Sequence, residues 1–384
     1  MTAARPQSPA GSGAVPGGQG GLGFRGLRVA LVGPLPPPAG GMANQTRQLA
    51  GLLSGEGASV AVVQTNAPYR PRAVGRVPVL RALFRLLPYL AALWKTAGRS
   101  DVCHVMANSG WSWHLYAAPA IWIARARGVP VVVNYRGGEA GDFLAHSAAS
   151  VRWSIRRVAK LIVPSGFLQG VFSRHRMNAE VVPNVVDLSC FHPPREPAGG
   201  GAHLIVARNL EPIYDNPTAL RAFALLLPRH PGARLTIAGS GPQRAGLERL
   251  AAQLGVAARV RFTGRLDRDA MARLYREADI ALNPSLADNM PNSLLEAMAS
   301  GLPVVSTNVG GIPFMVRDGV TAMLVPPQDP QATADAIDRL LGDCGLRRRF
   351  AAAGLAEVQA YTWGRVAPVL AVAYRTAVAA GARA

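Results

Sequence analysis

Two doubly wound α/β domains facing a cleft are the fold this chain predicts, on three observations. Apolar strand-like runs alternate with helix-like periods from residue 27 to residue 342. A Pro/Gly-rich break, PPREPAGGGAH at 193–203, divides that alternation into two series. Glycine loops (Gly40-Gly41, Gly137-Gly138, and Gly239 with Gly241) follow strands in both series. In doubly wound sheets, ligands sit at the carboxyl ends of strands, where such loops lie.

LRVALVG (27–33) reads as a buried strand after a Gly/Pro/Ser-rich tail, which is expected to be disordered over residues 1–26. The tail has no apolar segment of the signal-peptide kind. PLPPPAGGM is a loop, ANQTRQLAGLLSGEG a helix and SVAVVQT (59–65) a second strand, an order that starts a parallel sheet. RVPVLRALFRLLPYLAALWKT (76–96) has two readings. It is either an ordinary helix packed on the sheet and interrupted near Pro88, or an interfacial helix on an anionic membrane. DVCHVMA (101–107) and VPVVVNY (129–135) are strands around a helical stretch at 113–127, and KLIVPS and AEVVPN complete the first series.

The second series opens with LIVARN (204–209), then the helix NPTALRAFALLLPRH and the strand RLTIAGSG (234–241). RAGLERLAAQLGV is a helix, RVRFTG a strand, DRDAMARLYREA a helix and DIALNPS (279–285) a strand. LPVVST, AMLVPP and a helix at 330–342 close the pattern. With 384 residues, 49% of them apolar, the chain can bury two ordinary cores. No apolar run reaches membrane-spanning length.

The formal charge is +19, carried almost wholly by arginine, since the only lysines are Lys95 and Lys160. A GC-rich coding bias and an attraction to anions both account for it. There is no zinc-finger spacing and no basic run interleaved with aromatics, so nucleic acid is not an expected partner. Cys103, Cys190 and Cys344 form no CxxC pair, which suits a cytoplasmic protein, and the histidines show no metal spacing. No metal and no cofactor are expected.

The densest chemistry lies in ADNMPNSLLEAMASG, residues 287–301. Pro291 suits the first turn of a helix, and Asn292 or Ser293 suits its cap. The free amides of such an end form an anion site fitted to a diphosphate. Glu296 then has two readings. It closes a capping box with Ser293, or it accepts hydrogen bonds from sugar hydroxyls while Asp288 approaches the same ligand.

The stretch and its surroundings resemble the donor-site signature of the family-four glycosyltransferases. That pattern has an acid, seven residues, a Glu, then AMA-x-G-x-PVV and GGIP. Here Asp288 and Glu296 hold the acid positions, and MASGLPVVSTNVGGIP (298–313) follows. VVPNVVDLSCFHP (181–193) resembles the family's inter-domain segment, IAGSGPQRAGLERLA its GxGP turn, and YTWGRVAPVLAVAY (361–374) its terminal helix. The resemblance implies a GT-B fold of two Rossmann-like domains. Residues 27–196 would be the acceptor-side domain and 197–362 the nucleotide-sugar domain, with 363–384 a helix crossing back. It implies retaining, metal-independent transfer of a sugar from a nucleotide sugar to a glycan or lipid-linked acceptor. A setting in surface polysaccharide or glycolipid assembly follows, at the inner face of the membrane.

By the same resemblance Arg208, at the end of LIVARN, grips the phosphates. Gly40 and Gly41 let backbone approach them. Asn292, Ser293, Leu294 and Glu296 surround the donor, and Gly239 and Gly241 shape a turn near its base. Arg208, Asp288, Glu296 and Arg136 form the expected catalytic group. The chain departs from the family at four places. Tyr214 stands where a lysine is usual, Arg136 where a histidine is usual, Asp288 where Glu is commoner, and Phe314 where an acid often follows GGIP. The departures leave open a weakened nucleotide-sugar-binding partner. A nucleotide-sugar epimerase on the same fold is the alternative enzyme.

Overall fold

The computed structural model describes residues 23–37, 40–68, 78–194 and 201–381, and from residue 84 onward the side chains of the helix that begins at 78. The tail up to residue 22, residues 195–200 of the expected linker and the side chain of Arg81 lie outside the described residues.

The first half runs β1 (Arg28–Gly33), α1 (Gly41–Gly55), β2 (Ser59–Gln64), α2 (Pro78–Ala97), β3 (Val102–Ala107), α3 (Ala118–Ala126), β4 (Val131–Tyr135), α4 (Ala140–Ile155), β5 (Lys160–Val163), α5 (Gly166–Arg174) and β6 (Glu180–Val181). Its strands pair in parallel in the order β2-β1-β3-β4-β5-β6. The second half runs β7 (His203–Ala207), α6 (Asn216–Leu226), β8 (Arg234–Ala238), α7 (Arg244–Gln253), β9 (Val260–Gly264), α8 (Arg268–Arg276), β10 (Ile280–Asn283), α9 (Asn292–Ala299), β11 (Val304–Thr307), β12 (Met323–Val325), α10 (Pro330–Gly342), α11 (Cys344–Glu357) and α12 (Trp363–Gly381). Its parallel sheet has the order β12-β11-β10-β7-β8-β9. The two six-stranded, doubly wound sheets are the architecture expected from the sequence.

The apolar runs form central strands because both faces of each sheet are covered. On one face of the first sheet, Tyr89, Leu93, Ile121, Leu144, Val151 and Phe172 from α2 to α5 meet Val105, Val131 and Val133. On the other face α12 packs beside α1. Its Val366, Leu370, Tyr374 and Ala377, spaced as one helical stripe, bury against Val29, Leu31 and Val132. Burying an aliphatic side chain of this size stabilises by about 1.5–3 kcal/mol. That contact holds the last helix on the first sheet, although it follows the second in sequence. Tyr374 also meets the buried His104 ring, 2.8 Å from hydroxyl to Nδ1. Burial first, and then the Arg136 charge, push the His104 pKa down to about 3, so the ring is neutral.

One expectation is corrected. The segment around Pro88 is not interrupted, for α2 runs through it unbroken. Pro88 is exposed, so the turn that lacks its N–H faces solvent. The helical stretch expected at 113–127 is present, with a π-turn over Trp113–Ala117 leading into α3 at Ala118.

Candidate active site

Arg208 follows β7 directly, so its side chain emerges at the carboxyl end of the second sheet, beside β10 and β8. Its Nε donates to Asn283 Oδ1 at 2.7 Å, and its guanidinium pairs with the Asp288 carboxylate. The ring of Tyr214 lies beneath it, 4.9 Å from ring centre to Cζ. Asn283 is itself held, donating to Ser306 Oγ and accepting from Ser285 Oγ, both at 2.9 Å. Burial pushes the Arg208 pKa down to about 10, which still leaves a cation at neutral pH. Asp288 is fixed through its backbone as well, because Gly311 N–H donates to its carbonyl at 2.9 Å.

Glycines make those loop positions possible. A Cβ on Gly310 or Gly311 would collide with the carbonyl oxygens of Asp288 and Asn289. Likewise a Cβ on Gly239 or Gly241 would collide with the carbonyl oxygens of Arg208 and Leu210. The loops after β8 and β11 therefore lie backbone-to-backbone on the loops that carry Arg208 and Asp288. Gly40 and Gly41 differ. Gly40 is the extended residue before α1, and a Cβ on either would meet no described protein atom within 4 Å.

The two readings of Glu296 are separated by α9. Its N-cap is Pro291, and no side chain closes the cap, so neither Asn292 nor Ser293 caps it and the capping box is not formed. The Tyr275 hydroxyl sits 3.2 Å from the Ser293 carbonyl and 3.4 Å from Glu296 Oε2. Burial pushes the Glu296 pKa up to about 7, against the opposing effects of that hydroxyl, Arg268 and Arg208. The first amides of an α-helix have no partner within the helix. Those of Asn292 and Ser293 begin α9, whereas Leu294 N–H donates to the Pro291 carbonyl at 3.2 Å and its side chain is core.

Asn292 does something the sequence did not suggest. Its Oδ1 accepts from Asn184 Nδ2 at 2.8 Å and from Gln45 Nε2, on α1, at 3.0 Å. Asn184 also donates to the Met290 carbonyl at 2.8 Å. Arg136 joins this set and not the Arg208 cluster. Its Nη1 donates to Asn184 Oδ1 at 2.6 Å and its Nε to Asn134 Oδ1 at 3.2 Å. The described partners of Arg136 are thus amides that tie the first sheet to the start of α9. A second bridge joins Ser165 Oγ to Asn289 Oδ1. Nearby, the Phe314 ring packs beside Phe167 at 6.2 Å between centres.

Arg208, Asp288, Asn292, Ser293 and Glu296 thus gather at one sheet end. Gly40 and Gly41 start the helix whose Gln45 reaches that group, and Gly239 and Gly241 support it from beneath. Sequence reasoning missed Tyr275, Asn283 and Ser285. The signal for the last two was present, as polar residues ending the apolar run DIALNPS, but nothing in DRDAMARLYREA distinguishes Tyr275 from an ordinary inward helix residue.

An arginine and free helix amides are groups of the kind that hold a diphosphate, and carboxylates of the kind that accept from hydroxyls. The Glycosyl transferases group 1 family matches residues 203–343, and the Glycosyl transferase 4-like domain matches residues 40–185. The D-inositol 3-phosphate glycosyltransferase of Frankia alni is 32% identical over 278 residues, covering 68% of each chain. The chain belongs to the group 1 glycosyltransferases.

The Nocardia farcinica D-inositol 3-phosphate glycosyltransferase is another relative of this group 1 chain, 32% identical over 239 residues and covering 58% of this chain and 53% of that one. The chain spans about half the length of several of the curated relatives it matches. Among solved structures, sucrose-phosphate synthase from Thermosynechococcus elongatus aligns at TM-score 0.76 with 22% identity, over 92% of this chain and 100% of that one. Anabaena HepE in complex with UDP aligns at TM-score 0.70 with 16% identity, over 91% and 100% of the two chains. Both likenesses confirm the GT-B fold of the group 1 enzymes.

Proposed function

We propose that this group 1 chain is a retaining, metal-independent glycosyltransferase that moves a sugar from a nucleoside diphosphate sugar to a glycan or lipid-linked acceptor. The observation that carries the reading is the convergence of Arg208 on the uncapped start of α9, with Glu296 one turn inside. Negative charge builds on the diphosphate as the glycosidic bond breaks, and a fixed guanidinium with helix amides is the arrangement that stabilises it. For Arg208 to hold the diphosphate it exchanges its partner Asp288 for phosphate oxygen. That exchange frees the Asp288 carboxylate to accept from sugar hydroxyls, beside Glu296. Tyr214 gives no second cation, but its ring orients the guanidinium that remains.

The chain would act at an anionic membrane surface, in surface polysaccharide or glycolipid assembly. Phe84, Leu87 and Trp94 are exposed on α2 while Tyr89 and Leu93 pack inward. On the same helical layer, Arg157 lies over the rings of Trp122 and Trp153. Aromatic and basic side chains on one face suit a lipid headgroup region. Among the described residues, no helix is long and apolar enough to cross a membrane.

The decisive experiment incubates the protein with UDP-, GDP- and ADP-sugars, with and without lipid acceptor extracts, and follows released nucleotide. Acceptor-dependent release from one donor supports the proposal. Binding without turnover on any acceptor would instead support a nucleotide-sugar-binding partner, the reading favoured by Tyr214 in place of a cation.

A further inference from the structure

Trp111 is 77% exposed, more than any other large apolar side chain among the described residues. It lies four residues beyond the carboxyl end of β3, on the cleft side of the first sheet. Its ring meets His114 edge-on at 6.3 Å, and His114 meets Phe143, on the first turn of α4, at 5.8 Å. The loop beneath is braced. Ser109 N–H donates to Asn108 Oδ1 at 2.8 Å, and Ser109 Oγ shares a 2.7 Å hydrogen bond with the Tyr135 hydroxyl. Trp113, two residues on, is buried against the Tyr135 ring at 6.2 Å. An indole left in water on a rigid support forgoes burial that would stabilise the fold, and it loses little entropy when a ligand covers it.

The braced loop continues into the proposed donor site. A Cβ on Gly137 would collide with Ser109 Oγ, and one on Gly138 would come within 3.8 Å of Asp288 Cα across the cleft. Trp111, the loop after β4 and Asp288 therefore form one continuous rim. An acceptor whose hydroxyl meets a sugar held at Asp288, and which runs along this rim, would meet the indole.

We propose that Trp111, backed by His114 and Phe143, is a platform for a neutral sugar ring of the acceptor. This rests on the glycosyltransferase reading of the cleft. A pyranose has an apolar face of C–H groups and a polar edge of hydroxyls. The face matches an exposed indole, and the edge matches the exposed carboxylates of Glu139 and Asp142, which precede Phe143 on α4. The same carboxylates repel a phosphorylated acceptor. Arg136, the nearest cation along the chain, is held by Asn134 and Asn184 instead.

The test measures binding to the full chain of three probe sets: the nucleoside diphosphates UDP, GDP and ADP; the neutral saccharides maltotriose, cellotriose and chitotriose; and D-inositol 3-phosphate. The saccharides and the inositol phosphate are titrated in the presence of the diphosphate that binds. At least one saccharide is expected to bind and to quench tryptophan fluorescence. Trp111→Ala is expected to weaken it at least tenfold, and Trp111→Phe less, with diphosphate affinity and Tm unchanged. Diphosphate binding with no saccharide binding, or saccharide affinity unaltered in Trp111→Ala, overturns the platform and leaves the enzyme reading standing. So does tighter binding of D-inositol 3-phosphate than of every saccharide, or loss of vesicle binding in Trp111→Ala. Failure of every diphosphate to bind overturns the enzyme reading itself.

Discussion

Burial holds the Glu296 pKa at about 7, against a usual 4.5. Below 4.5 the carboxyl is protonated in both folded and unfolded chains. Between 4.5 and 7 the unfolded chain releases that proton and the folded chain keeps it, so stability falls as pH rises through this window and stays lower above it. The full shift corresponds to roughly 3 kcal/mol, and partial exposure of the side chain makes the real deficit smaller. Glu296→Gln is therefore expected to raise the Tm of the ligand-free protein more at pH 8 than at pH 4.5. Donor affinity, measured by calorimetry, is expected to fall at least tenfold. A lower Tm at pH 8 would mean that the carboxylate serves the fold. The identity of this residue was legible in the sequence, and its role was not. Ser293 and Glu296 have capping-box spacing, but Pro291 takes the cap and Tyr275 takes the carboxylate. Spacing alone does not record that Tyr275, 21 positions earlier, points there.

At the scale of the element, the glycine loops separate fold from binding. Gly239→Ala drives a methyl group into the Arg208 carbonyl and is expected to cost on the order of 1–3 kcal/mol, read as a lower Tm. Gly41→Ala has open space before it and is expected to change stability by no more than about 0.5 kcal/mol, leaving Tm close to wild type and showing instead as weaker nucleotide-sugar binding. Equal losses of Tm in the two variants would remove this distinction. On α2, Phe84→Glu with Leu87→Glu is expected to abolish co-sedimentation with vesicles containing anionic lipid, and unchanged sedimentation would remove membrane contact from the proposal. The strands were read readily because their runs are apolar on both faces. Helices α4, α5 and α11 were not marked. In α4 the buried stripe Ala140, Leu144, Val151 and Ile155 is diluted by Ser, His and Ala. The inward face of α11 consists of Leu346, Phe350 and Gly354 among arginines and alanines.

Across the whole molecule, alternation of strand and helix was enough to give two doubly wound sheets. It did not reveal what joins them beside the site. Asn184 and Asn292 are 108 positions apart, and an asparagine in a loop carries no sequence signal that names its partner. Their bond, with those of Gln45 and Arg136, holds the start of α9 against the first sheet. Asn184→Ala leaves the Asn292 and Arg136 groups short of a partner. It is expected to destabilise by about 1–3 kcal/mol and to enlarge the radius of gyration of the ligand-free protein in X-ray scattering. An unchanged radius would show that the Gln45–Asn292 bond, the aromatic pair and the Ser165 bridge suffice without Asn184.

The bridges described between the sheets are amides, a hydroxyl and two phenyl rings, with Arg136 bound only to neutral partners. Screening by dissolved ions acts weakly on such contacts and strongly on the approach of a diphosphate to Arg208. Ionic strength should therefore govern what enters the cleft while leaving the rate at which the two halves part almost untouched.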